Sequence, residues 1–108
     1  MITHIKMIHW ALDTSEKNLE EAEKYAKLAH RLKMQYRPAA DWCVEMAKKH
    51  IDFNINASIM LDQLCKELHD AGGNSELWQA MKASVHEKRE WLAEKALEVK
   101  MILEKYDR

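Results

Sequence analysis

Apolar residues recur every three or four positions along almost the whole chain, a spacing that puts them on one face of an α-helix. In the first third of the sequence these positions are Ile5, Ile8, Leu12, Ser15, Leu19, Ala22, Ala26 and Ala29. In the second third they are Cys43, Ala47, His50, Asn54, Ala57, Leu61, Leu64 and Leu68, with a flanking row of Met46, Phe53 and Met60. In the last third they are Trp78, Met81, Val85, Trp91 or Leu92, Val99, Ile102 and Tyr106. The alternation typical of strands is absent, so the pattern predicts an all-α protein.

Two short segments interrupt this pattern and divide it into three. The first is Arg37-Pro38, because proline cannot continue a helix and restricts the residue before it. The second is Gly72-Gly73-Asn74-Ser75, in which glycine suits a helix C-terminus and Asn74 or Ser75 suits the next N-cap. The predicted helices therefore span residues 2–36, 39–70 and 75–107.

A further candidate break lies inside the first helix. Asp13-Thr14-Ser15-Glu16 consists of weak helix formers and resembles a capping box, with Asp13 as the cap and Glu16 three residues later. The apolar repeat nevertheless continues through this stretch without a change of phase. We favour one continuous helix and keep as the alternative a chain of four segments with a break near Asp13.

Short connections predict that consecutive helices are antiparallel neighbours. The expected fold is an up-down antiparallel bundle of three long helices, forming a single domain over residues 1–108. At 1.5 Å per residue, its length would be about 45 to 50 Å. A chain of this size buries only about two thirds of its extended surface, so the core is thin. We therefore expect a homo-oligomer, with a dimer as the simplest case.

Composition narrows the classes of function. Hydrophobic residues make up 47% and charged residues 32% of the chain, as in folded proteins. The net charge is −1 and lysines alternate with glutamates, which leaves no basic surface for nucleic acid. No apolar run approaches the ~18 residues of a membrane span, and the N-terminus lacks the features of a signal peptide. We expect a cytoplasmic protein that binds neither membranes nor nucleic acid.

His50 and Asn54 interrupt the apolar face of the second helix. An antiparallel register places them opposite Tyr25 and Ala22 on one side and opposite Lys95 and Trp91 on the other. They could form a buried functional site around a perturbed histidine. The alternative, which we favour, is a hydrogen-bonded polar layer that sets the register of the helices.

The two cysteines, Cys43 and Cys65, lie on one predicted helix about 33 Å apart, too far for a disulfide, and are expected to be reduced. Cys65 and His69 are four residues apart and share a helical face, with His9 expected opposite them. A thiolate and two imidazoles could bind zinc, although such a site needs a fourth ligand. The alternative is a buried thiol and two surface histidines. We expect no cofactor, and iron or zinc is the alternative.

Four tryptophans and seven methionines are many for a chain of this length, and Trp10 and Trp42 lie off the main apolar faces. They could form a binding or oligomer surface, line a small-ligand cavity, or pack in an ordinary core. Phosphate-binding glycine loops, His-Glu-x-x-His, Cys-x-x-Cys and nucleophile-elbow motifs are absent. The leading interpretation is a non-enzymatic, homo-oligomeric or partner-binding protein, although the pattern leaves enzymatic activity open.

Two stretches resemble small ferritin-like proteins of the rubrerythrin type. Residues 22–29 resemble their first core helix, and residues 78–106, with His86-Glu87, resemble their last. The resemblance implies a ferritin-like bundle that holds two iron atoms through glutamates and Glu-x-x-His motifs. This chain has no such motif, and His50-Ile51-Asp52-Phe53 stands where one would align. The resemblance therefore implies a di-iron site that is not intact, or a rearranged metal site with His50 and His86 as candidate ligands.

Overall fold

The chain folds into three α-helices, and the prediction of an all-α protein is confirmed. The computed structural model describes residues 2–72 and 76–107. Helix α1 comprises Ile2–Leu32, α2 comprises Arg37–Gly72 and α3 comprises Glu76–Tyr106, with no strand among the described residues. The predicted N-cap residues Asn74 and Ser75 lie outside the described residues. Within those ranges, no helix combines the length and the apolar character needed to cross a membrane.

Helix α1 continues through Asp13-Thr14-Ser15-Glu16, so the predicted continuous helix is confirmed and the break near Asp13 is not observed. Ser15 is buried in the core instead of capping a new helix. One turn further on, the Asn18 Nδ2 amide donates to the Thr14 carbonyl at 2.9 Å. Packing of the continuous apolar face therefore outweighs the weak helix propensity of this stretch.

The first connection differs from the prediction at both ends. Helix α1 ends at Leu32, four residues early, and the amides of Gln35 and Tyr36 both donate to the Leu32 carbonyl, at 3.0 and 2.8 Å. Helix α2 begins at Arg37 and contains Pro38 as its second residue. The first turn of a helix needs no amide partner, and the restricted φ of proline suits it. Pro38 therefore opens α2, and the expectation that the helix begins after it is wrong.

The predicted apolar faces form the core. All eight repeating positions of α1 are buried, and so are all those of α2 except the half-buried His50. On α3 the open choice between Trp91 and Leu92 is decided, because Leu92 is buried and Trp91 is exposed. The repeat of three and four residues thus identifies most of the core correctly.

The core changes in residue size along the bundle. Near the beginning of α1 it contains large side chains such as Ile8, Leu61 and Leu68. In the middle it contains Ala22, Ala26 and Ala47 of α1 and α2, beside Val99 of α3 and others. Alanine adds little side-chain volume, so the backbones of α1 and α2 can approach closely there while the interior stays densely packed.

Helices α1 and α2 make the most extensive helix–helix contact. Their polar contacts join the beginning of α1 to the end of α2, where His4 Nε2 lies 3.2 Å from Glu67 Oε2. They also join the end of α1 to the beginning of α2, where the rings of Tyr25 and Trp42 meet edge to face with centroids 5.7 Å apart. The molecule is 56 Å long, longer than expected, because α2 has 36 residues.

Helix α3 is aligned on α1 by contacts between residues that are 72 positions apart. Lys88 Nζ donates to Glu16 Oε2 at 2.6 Å. Two helical turns further along both helices, Lys95 pairs with Glu23. Near the end of both helices, the His30 imidazole donates to the Ile102 carbonyl at 2.7 Å. These contacts keep α3 beside α1 along most of its length.

The Glu23–Lys95 ion pair makes stability depend on pH. The hydrogen bond from Lys95 holds the pKa of Glu23 below its ordinary value, and the same bond raises the pKa of Lys95. A lowered carboxylate pKa stabilises the fold above the unfolded value of ~4.3, and this contribution is lost as pH falls through the folded pKa. The raised pKa of Lys95 contributes below ~10.4 and is lost as pH rises through its folded value.

We therefore expect Glu23→Gln to lower the free energy of unfolding by about 1 kcal/mol at neutral pH, and by progressively less in acid below pH ~4.3. Urea unfolding followed by circular dichroism across that range measures the difference. Glu94→Gln, at an exposed carboxylate of α3 in no ion pair among the described residues, is the control. A Glu23→Gln deficit that stays constant into strong acid would contradict this assignment.

Candidate functional site

An open groove runs between α2 and α3, which contact each other far less than either contacts α1. The two helices are tied together at its ends. At one end, the Tyr106 hydroxyl donates to Asp41 Oδ1 at 2.7 Å. At the other end, the Arg89 guanidinium pairs with Asp62. About twenty residues of α2 lie between these ties, so the groove is about 30 Å long.

The half of the groove nearer the Asp62–Arg89 pair is apolar. It encloses about 490 Å³ and is lined from α2 by Ile55 and Ile59 and from α3 by Ala93, Ala96 and Leu97, together with a few polar groups. The side chains of Ile55, Ile59 and Leu97 are 43%, 62% and 60% exposed. Large aliphatic side chains are usually buried in folded proteins, so three that are exposed together make this half of the groove a candidate interaction surface.

The other half of the groove is charged. A cavity of about 260 Å³ lies between Lys48 and Asp52 of α2 and Lys100 and Glu104 of α3, over a floor of Ile51 and Leu103. Lys48 lies 3.8 Å from Glu45, a residue of its own helix with a largely exposed side chain. Among the described residues, Asp52, Lys100 and Glu104 take part in no ion pair. The groove is therefore lined by charged groups of both signs, most of which form no ion pair among the described residues.

A second, smaller apolar surface lies between α1 and α2. Trp10, Phe53 and Met60 border a cleft of about 190 Å³ with Ala57 at its base. Trp10 is 57% exposed, and Trp42, further along the same side, is 56% exposed. The expectation that these two tryptophans lie off the core is confirmed. This cleft is less than half the volume of the apolar half of the groove, which makes the groove the principal candidate surface.

The structure places His50 in a polar layer between α1 and α2. Its Nδ1–H donates to Asn18 Oδ1 at 2.8 Å, and its ring stacks on Tyr25 with centroids 5.7 Å apart and planes at 14°. The predicted neighbour Tyr25 is therefore found, whereas the partner Asn18 was not predicted. Asn54 is buried one turn further along α2. This arrangement agrees with the favoured interpretation, a layer that sets helix register, because both ring contacts orient the imidazole.

The residues of the predicted cysteine–histidine site are not gathered in one place. Cys65 is half-buried, and burial raises the pKa of its thiol, which disfavours the thiolate that a metal requires. His69 is exposed on α2, and His9 is exposed beside Asp13 and Lys88, on the side of α1 nearer α3. The histidine of α1 that does reach this end of α2 is His4. Cys43 and Cys65 are both free thiols, as predicted.

His86, the remaining candidate ligand, is exposed on α3, where its Nε2 lies 2.9 Å from Glu90 Oε1. It shares no cluster with His50. Among the described residues, no group of three or more histidine, cysteine, aspartate or glutamate side chains has the geometry of a metal site. Metal binding through His50, His86, His9, Cys65 or His69 therefore stays a prediction.

The groove residues were not singled out from the sequence, although a signal for them exists. Ile55 directly follows the core position Asn54 and Ile59 lies four residues further on, and Ala93, Leu97 and Met101 repeat every four residues on α3. A second apolar stripe beside the core stripe widens the apolar face beyond what one neighbouring helix can cover. This stripe consists of apolar residues that lie outside the three predicted core faces, and that position is the signal by which the sequence indicates it.

No protein-family model matches this chain, and neither a curated protein nor a solved structure shows significant similarity to it. Its function must therefore be inferred from its own residues.

We expect Asn18→Ala to destabilise the fold by about 1 kcal/mol, because it leaves the half-buried His50 Nδ1–H without its acceptor. Chemical unfolding at neutral pH measures the loss. Asn56→Ala, at an exposed asparagine of α2, is the control for the gain in helix propensity that alanine brings at both positions. Equal stability of the two variants would show that the polar layer contributes nothing to folding.

Metal binding is tested by elemental analysis of protein purified without chelator and without a histidine tag. The metal hypothesis predicts close to one equivalent of iron or zinc that disappears in His50→Ala or Cys65→Ser, with the variants still folded. Asn56→Ala again serves as the matched control. Failure to retain metal after reconstitution with either ion would leave these residues with structural roles only.

Proposed function

We propose that this chain is a non-enzymatic helical protein that acts by association, as a homo-oligomer or as a partner-binding module, through the groove between α2 and α3. The observation that carries the proposal is the exposure of Ile55, Ile59 and Leu97 in one continuous groove. Burial of apolar surface stabilises association by about 25 cal/mol per Å², so leaving these side chains in water forgoes several kcal/mol.

We also infer that the helices form an antiparallel up-down bundle, ferritin-like in style. The contacts of His4 with Glu67 and of Tyr25 with Trp42 support opposite directions for α1 and α2. The contacts between α1 and α3 at a constant separation of 72 residues support a common direction for those two helices. Ferritin-like bundles have four helices, and here the groove between α2 and α3 is the open side of a three-helix arrangement.

The charged side chains gathered in the groove are all exposed, and we therefore propose association and not catalysis as its role. Asp52, Lys100 and Glu104 take part in no ion pair among the described residues, whereas a pre-organised catalytic constellation requires groups held in fixed geometry. An association surface has no such requirement, since an apolar centre with a charged margin is enough. The groove has both.

We expect the protein to be an oligomer in solution. Leu97→Glu or Ile59→Glu should raise the dissociation constant of this oligomer by about 100-fold or more. The physical reason is that each variant would bury a carboxylate in an apolar contact. Analytical ultracentrifugation over a concentration series measures the change, and circular dichroism verifies that helix content is kept.

Met34→Glu is the matched control, because Met34 is 92% exposed in the connection between α1 and α2 and lies outside the groove. It introduces the same charge and should leave the dissociation constant unchanged. A wild-type chain that stays monomeric at millimolar concentration would contradict self-association. An oligomer that tolerates both groove substitutions would show that another surface mediates it.

A further inference from the structure

The groove residues of α2 and α3 complement each other at each level, by which we mean each height along the long axis of the bundle. The two cavities place Lys48 and Asp52 of α2 beside Lys100 and Glu104 of α3, and place Ile55 and Ile59 beside Ala93 and Leu97. From the Asp41–Tyr106 end of the groove towards the Asp62–Arg89 end, α2 presents a cation (Lys48), an anion (Asp52) and then two aliphatic side chains. On α3 the order is an anion, a cation and then two apolar side chains. Each level of one helix is therefore complementary to the same level of the other.

From this complementarity we propose that the groove is filled by a second copy of the chain, related by a two-fold axis that runs parallel to the helices; the inference rests on the association function proposed above. Such an axis keeps every residue at its own level and sets α2 of one copy against α3 of the other. The contact is isologous, so each pair occurs twice. The pairs are Lys48 with the partner's Glu104, Asp52 with the partner's Lys100, Ile55 with the partner's Leu97 and Ile59 with the partner's Ala93.

The same contact also fits by size. Large Ile59 faces small Ala93 of the partner, which allows the two helix pairs to approach as the large and small residues of a packed core do. A groove about 30 Å long and two helices wide, about 20 Å, has a footprint of about 600 Å², close to the ~800 Å² per partner of a standard interface. The product is a layer of four helices that shields the exposed aliphatic side chains of both copies.

The other two-fold arrangement, with the axis perpendicular to the helices, is disfavoured by charge. It would set α2 against α2 of the partner in reverse order. With the axis at the middle of the apolar half, between Ile55 and Ile59, Lys48 would lie near the partner's Lys66 and Asp52 near the partner's Asp62. Like charges would meet at both of these positions on α2, whereas the parallel axis pairs opposite charges at both charged levels on α2 and α3 alike.

The test uses two charge reversals, Asp52→Lys and Lys100→Glu, made in chains of different mass. Alone, each variant sets like charges against each other twice across the two-fold axis, and we expect its dimer dissociation constant to rise about tenfold or more. In a mixture of the two, both cross-axis contacts pair opposite charges. Native mass spectrometry of the mixture should therefore show mainly the heterodimer, with a dissociation constant within about twofold of the wild-type value.

The mixture separates contact between copies from contact within one chain, because repulsion inside a chain is not relieved by a different partner. Glu21→Lys and Lys24→Glu, on the exposed surface of α1, are the controls and should mix in statistical proportions. Lys48→Glu with Glu104→Lys provides a second pair in case a first-pair variant fails to fold, and should also form the heterodimer.

The possible outcomes separate this inference from the proposed function. A dimer that Leu97→Glu disrupts, but whose charge variants mix statistically, would overturn the parallel axis and leave the groove as the association surface. A monomeric wild-type chain that binds a different protein in the groove would overturn the second copy as its occupant. A groove that neither self-associates nor changes any interaction on Leu97→Glu would overturn both. Preferential heterodimers in both charge pairs establish the proposed arrangement.

Discussion

Helix α1 supplies the contact on which the rest of the structure depends, because both other helices pack on its buried face. That face extends without interruption from Ile5 to Ala29, and its small residues in the middle allow α2 to approach closely. Helix α3 follows α1 in a constant register maintained by Lys88–Glu16 and Lys95–Glu23. Because α3 packs mainly on α1, its polar contacts with α2 lie at the two ends of the groove.

The polar residues within the apolar faces support this arrangement. Ser15 is buried within α1, and Asn18 links the Thr14 carbonyl to the His50 ring across the two helices. A shift of one helical turn between α1 and α2 would leave these polar groups unpaired in a half-buried site, which costs more than an equivalent shift between aliphatic surfaces. The contacts of His50 with Asn18 and Tyr25 therefore support a role in setting the register of α1 and α2.

We therefore base the proposed function on the groove that the three helices leave open, and not on the titratable residues. A three-helix arrangement of 108 residues has a thin core, and Ile55, Ile59 and Leu97 of the second stripe stay about half exposed. The groove combines those residues with charges of both signs at matching levels. A thin core and an exposed apolar groove both favour the association that we propose, because association would complete the burial that folding leaves partial.

The three helices and most of the buried positions follow from the sequence alone, because the 3.6-residue period and the breakers act locally. The sequence misplaced the first connection by a few residues, and that error shifts predicted contacts between α1 and α2 by up to several positions. The expected partner of Cys65 and His69 was His9, yet His4 is the histidine that lies at that level, beside Glu67. The folded structure alone shows that α3 packs chiefly on α1 and leaves one side of α2 exposed. That choice depends on contacts such as Glu23–Lys95, whose partners are 72 residues apart, and no local pattern encodes such a pairing.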